Sequence, residues 1–201
     1  MLFGNRNLNY MVLPVLAYGH STLRKTAVDI VNDHPGLDEL IVNMFDTMYA
    51  SAGVGLAAPQ INKSIRLFIV DATPFAEEVP EAKGFKRVFI NAQIVEEKGE
   101  EWSFNEGCLS LPEIREDVIR KPDIRIQYYD ENFEYHDDKF SKVMARIIQH
   151  EYDHLEGILF VDRIPNIRKI LLKRKLSDIS KGNIDVDYKM IFPKKKKGRR
   201  R

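Results

Sequence analysis

The sequence predicts one domain of mixed helix and strand, and three observations predict it. Apolar residues at 37, 40, 41, 44, 45 and 48 form a helical stripe, and a second stripe runs 140, 143, 144, 147, 148. Short β-branched or alternating runs at 66–71, 87–91 and 123–128 read as strands between them. At 201 residues, with 44% hydrophobic and 30% charged residues, the chain can bury one core without staples.

Residues 1–10 are polar and unpatterned, lacking the apolar core and small-residue cleavage site of a signal peptide. No apolar run approaches the roughly 18 residues a membrane span needs, so no membrane is expected and the cytoplasm is the expected location. Pro35 and Gly36 open the helix over 37–48, and Gly53 stops it. Gly53-Val54-Gly55-Leu56-Ala57-Ala58-Pro59-Gln60 follows, small and nearly uncharged, a run that lets a ligand approach the backbone. It is no phosphate loop: no Gly-Lys-Ser/Thr follows and no strand precedes it. Strands at 66–71 and 87–91 flank a polar loop over 73–84, and 94–96 continues in extended form. The half-exposed strand at 123–128 is expected beside 118–120, across a Lys121-Pro122 break.

The stretch that decides the chemistry is Gln149-His150-Glu151-Tyr152-Asp153-His154. Histidines four apart stack on one helical face and can offer two imidazole nitrogens to one ion. Glu151 lies roughly 100° round the helix from His150, beside such an ion without binding it, as an acid/base for metal-bound water would. Val143 and Ile147 share the face of His150 and His154. A catalytic site with an open position needs a third ligand. His20, His34 and His136 stand in loop-like contexts and read as surface residues, so the lone thiol, Cys108 in Glu106-Gly107-Cys108-Leu109-Ser110, is the third ligand by elimination. With one cysteine no intramolecular disulfide can form.

Beyond Gly157 a short apolar run precedes a helix opened by Pro165 and closed at Lys181-Gly182. Its expected inward residues are Ile167, Ile170, Leu171, Leu176 and Ile179. From Arg163 onward 15 Lys/Arg face three acids, giving +12 against −11 for the rest. An acidic body thus carries a basic end of the kind that meets polyanions or stays solvated.

The runs at 53–60, 106–110 and 149–154, in this order and spacing, resemble the three signature motifs of bacterial, iron-dependent peptide deformylases. The resemblance spans about 11–182, the expected catalytic domain. Residues 1–10 are then an extension or disordered, and 183–201 a C-terminal extension ending in the basic tail. Asn62 and Ser141 stand where glycine is expected; Asn tolerates the left-handed conformation. The resemblance implies an α+β fold, with antiparallel sheets packed around a central metal-binding helix. It implies that Cys108, His150 and His154 hold one divalent metal, natively Fe²⁺, with Zn²⁺, Ni²⁺ or Co²⁺ as alternatives in purified protein, and a fourth position for water.

The implied substrate is the N-formylmethionyl end of a nascent polypeptide, and the products are formate and a free amine. Glu151 would move the proton, and Gln60 and the Leu109 N–H would donate to the reacting oxygen. Val54, Gly55 and Gly107 would hold the peptide by its backbone, while Val143 and Ile147 accept the methionine. The ribosome is an expected partner, with ribosomal RNA contacted through the basic C-terminal segment. Two rivals remain. A zinc endopeptidase would want a histidine or acid as third ligand and no role for Cys108 or Gln60. A non-enzymatic ribosome- or RNA-binding protein with a structural metal would usually need four protein ligands.

Overall fold

The computed structural model describes residues 11–194. Residues 1–10, expected as an extension or disordered, and 195–201 of the basic tail lie outside the described residues. The elements run β1 (Val15–Leu16), α1 (Leu37–Ala50), β2 (Gly55–Ala57), β3 (Leu67–Asp71), β4 (Lys86–Lys98), β5 (Trp102–Cys108), β6 (Leu111–Arg120), β7 (Asp123–Tyr129), β8 (Tyr135–Ser141), α2 (Lys142–Leu155), α3 (Asn166–Lys181) and β9 (Met190–Ile191).

Five strands in the order β2-β3-β4-β7-β8 make an antiparallel sheet. Its β2-β3 end is covered on both faces while β7 and β8 keep one face exposed, and the period of two along a strand decides which residue meets which helix. Leu67, Ile69, Val88 and Ile90 pack with Met44, Phe45 and Met48 of α1. Phe68, Val70 and Phe89 point the other way, into a core shared with Ile147, Ile148 and Leu155 of α2. The β5–β6 hairpin forms a separate two-stranded sheet. Its Leu111, Ile114 and Val118 pack with Leu172, Leu176 and Ile179 of α3 and with Leu159 and Phe160. Thus α2 lies between sheet and hairpin, and most of its length is buried. That burial includes Arg146, Gln149, His150, Glu151, Asp153 and His154, and buried polar groups on this scale require partners. The α+β class, with antiparallel sheets around a central helix, is the observed one.

Four expectations are corrected. Strand β7 pairs with β4 and β8 rather than with 118–120, which belongs to β6 and pairs with β5. The Lys121-Pro122 break redirects the chain between sheets, proline having no N–H for a ladder. Phe140 lies in β8 rather than in the helix: Ser141 is extended and Lys142 has φ 54°. Its ring packs edge-on against Phe85 at 5.4 Å. On α3 the buried line is Leu172, Leu176 and Ile179, whereas Ile167, Ile170 and Leu171 are 63%, 66% and 63% exposed. The hairpin covers only a narrow stripe of that helix. Finally, His136 sits in β8, half-buried and stacked on Tyr128, with Nε2 3.0 Å from Asp130. The ligand atoms of Asp130, Glu134 and His136 gather within 4.8 Å, but Asp130 also accepts the backbone N–H groups of Asn132 and Glu134, so the group organises the β7–β8 turn. His20 and His34 are likewise half-buried, and His20 Nδ1 accepts from the Thr22 N–H.

Candidate metal centre

The hairpin tip and α2 bring three donors together. Ligand atoms of Cys108, His150 and His154 lie within 4.8 Å of one another, and Cys108 Sγ is 3.3 Å from His154 Nε2. Cys108 is the last residue of β5, before the two-residue turn Leu109-Ser110 and its ladder partner Leu111. The histidines are one turn apart on α2, their ring centroids 5.2 Å apart.

Beneath them lies a residue whose role the sequence did not reveal. Glu106 is buried and accepts Arg120 Nε at 2.8 Å, Arg120 Nη2 at 2.9 Å, Arg146 Nη1 at 3.0 Å and His150 Nδ1 at 2.9 Å. Burial works to raise this carboxyl, but the bonds from His150 and Arg120 outweigh it and hold it far below the usual carboxylate range. With its proton committed on Nδ1, His150 presents the Nε2 lone pair to the centre, as metal-binding histidines do. The same Arg120 also reaches Asp153 at 2.7 Å, tying hairpin and helix into one charged network. Nothing in the pattern around Glu106 could have shown this, because its partners arrive from β6 and α2.

Glu151 is buried on the side of α2 that faces β2. Burial pushes its carboxyl up to about 7, and its Oε2 has no hydrogen-bond partner among the described residues. Gly55 lies directly against it: a Cβ there would stand 2.5 Å from Glu151 Oε1. Gln60, on a short 3-10 turn at Ala58–Ile61, is held by its Oε1 accepting the Ala57 N–H at 2.8 Å. Its Nε2 donates toward Cys108 Sγ at 3.4 Å and Ser110 Oγ at 3.3 Å. Asn62 ends that turn at φ 64°, the left-handed conformation a glycine would take. Ser110, fully buried, is a second residue that the sequence reading did not mark as a contributor.

These groups open onto a cleft of about 690 Å³, with Val54, Gly55, Gln60, Gly107, Leu109 and Ile147 in its walls. His150 and Glu151 reach it, while His154 lies behind them, 1% exposed. Val143, expected beside the methionine, packs against the sheet core instead. The donor set suits one borderline-soft divalent ion: two imidazoles and one sulfur, with an unpartnered carboxylate oxygen beside them.

A sequence model of the family described as polypeptide deformylase matches residues 12–169. The chain belongs to that family. The peptide deformylase of Christiangramia forsetii is 57% identical over 94% of this chain and 100% of its own length. That of Flavobacterium johnsoniae is 52% identical, again over 94% and 100%. Among solved structures, a peptide deformylase from Legionella pneumophila superposes with a TM-score of 0.75 at 34% identity, covering 86% of this chain and 98% of that one. Membership makes this chain a metal-dependent enzyme of the deformylase family and supports neither the endopeptidase nor the non-enzymatic reading. Among the described residues, no helix is long and apolar enough to cross a membrane.

Proposed function

We propose that this cleft removes the N-formyl group from the methionine that begins a newly made polypeptide, releasing formate and a free amine. The observation that carries the assignment is the convergence of Cys108, His150 and His154 beside a buried, unpartnered Glu151 carboxylate. A divalent metal held by those three residues would supply Lewis acidity and an activated water near neutral pH. Fe²⁺ is the proposed native ion, with Zn²⁺, Ni²⁺ or Co²⁺ able to occupy the same donors.

The residues of the chain then divide the work. Glu151 Oε2 takes the proton of the attacking water and passes it to the departing amine nitrogen, a task suited to a carboxyl pushed up to about 7. Gln60 Nε2 and the Leu109 N–H donate to the formyl oxygen as it gains negative charge. Because Gln60 Oε1 is already engaged by Ala57, the amide is oriented before substrate arrives. Val54, Gly55 and Gly107 offer backbone to an extended peptide, and Ile147 gives the methionine an apolar wall. Acetyl is rejected by size, the extra carbon meeting the wall formed by the ligands. Glu106 acts through His150, fixing its ring and tautomer.

The site of action is the second part of the proposal. Lys173, Arg174 and Lys175 lie exposed on α3, and residues 194–201 add seven cations. This basic end would hold the enzyme, in the cytoplasm, to ribosomal RNA where nascent chains emerge. The assignment is tested by offering metal-loaded protein formyl-Met and acetyl-Met peptides under anaerobic conditions. Formate from the first and no acetate from the second is the expected result; endoproteolysis without formate release would defeat it.

A further inference from the structure

The Leu109-Ser110 turn is gripped from outside its own hairpin. The Tyr188 hydroxyl donates to the Leu109 carbonyl at 2.7 Å, and the Tyr18 N–H donates to the Ser110 carbonyl at 2.8 Å. Both grips come from one small ribbon, because Tyr18 follows β1 and Tyr188 precedes β9. Those strands run parallel, with Val15 opposite Met190 and Leu16 opposite Ile191. Backbone bonds from Val15 N to Lys189 O and from Ala17 N to Ile191 O, each 2.9 Å, fix the register. Gly182, at φ 77°, ends α3 and turns the chain back toward the site. The returning segment places Asp185, Val186, Asp187 and Tyr188 in the wall of the cleft. All of it lies beyond residue 169, where the match to the family ends.

A two-residue turn leaves its carbonyls outside the ladder, so their partners must come from elsewhere in the fold. Here that turn begins with the N–H proposed to receive the reacting oxygen, one residue after Cys108. We propose that residues 183–191 are a fixed wall of the cleft, in which Tyr188 is a positioning residue. Its hydroxyl holds the Leu109 carbonyl so that the neighbouring Leu109 N–H keeps its aim. The inference rests on the deformylase reading of the site. An oxyanion donor displaced by a fraction of an ångström loses much of its effect on the rate while substrate binding is untouched.

The test is Tyr188→Phe in the full-length, metal-loaded protein. This change removes one hydroxyl and leaves the backbone pairing of β1 with β9 intact. Expected are a kcat for a formyl-Met peptide lower by about tenfold, an unchanged KM and melting temperature, and faster amide hydrogen exchange at Leu109 and Ser110. Wild-type kcat with wild-type exchange would overturn the proposal. So would a fall in kcat accompanied by an equal loss of bound metal or a lower melting temperature, which would mark general loosening. If the unmodified protein released no formate, the reading of the site would fail instead, and exchange at Leu109 would still decide whether Tyr188 holds the turn.

Discussion

Gly55 and Glu151 touch so closely that no side chain fits between them: a Cβ on residue 55 would sit 2.5 Å from Glu151 Oε1 and 2.8 Å from its Cγ and Cδ. The strand proposed to offer backbone to the substrate is therefore also the wall that confines the proposed acid/base carboxyl.

From this contact follows a prediction for Gly55→Ala. The added methyl must push the buried Glu151 carboxyl away from β2 and out of its place at the edge of the cleft. Turnover should fall by about 10²-fold, the scale for misplacing a catalytic group by about 1 Å, with metal content retained. Formate-release kinetics paired with metal analysis would check it.

Replacing Glu151 by Gln keeps the shape and removes the proposed proton carrier. Metal should stay bound while kcat drops by roughly 10²-fold or more. Near-normal turnover with metal in place would exclude Glu151 from proton transfer.

Glu106→Gln tests the layer beneath the histidines. Arg120, Arg146 and His150 all donate to this carboxylate, so two buried cations would lose their shared counter-charge. Stability should fall by about 3–5 kcal/mol, and metal affinity by about 10- to 100-fold. Denaturant melts and a competitive chelator titration read the two effects separately.

Much of this was legible before any coordinates. Ligand chemistry demands fixed residue types at fixed spacing, so His150, Glu151 and His154 announce themselves on a helix, and Cys108 is the only thiol. Glu106 was not legible as a support, because its partners lie 14 to 44 residues away and only the fold gathers them. Strand partners were hidden for a similar reason. The alternation in 123–128 shows one half-exposed face, yet says nothing of whether 118–120 or 135–141 pairs with it. On α3, hydrophobicity alone could not separate buried Leu172 from exposed Leu171, since the hairpin's reach sets the boundary.

The basic end gives a prediction independent of the cleft. Deleting residues 193–201 should leave turnover on short formyl peptides unchanged but weaken ribosome binding and flatten its salt dependence. The lost log–log slope should be at most about 5 to 6 if seven cations meet phosphates. Equal ribosome affinity for both proteins across a salt series would remove the tail from the account.

The most direct test of the central claim is formate release measured against bound metal, without oxygen, in wild-type protein and Cys108→Ala. The account predicts no release from chelated protein and recovery in proportion to Fe²⁺ up to one ion per chain. Activity should then decay in air with Fe²⁺ and last longer with Ni²⁺ or Co²⁺, because a thiolate beside a redox-active ion is open to oxidation. Cys108→Ala should bind metal far more weakly and release almost nothing. Full metal content and wild-type formate release in Cys108→Ala would contradict the assignment of this centre.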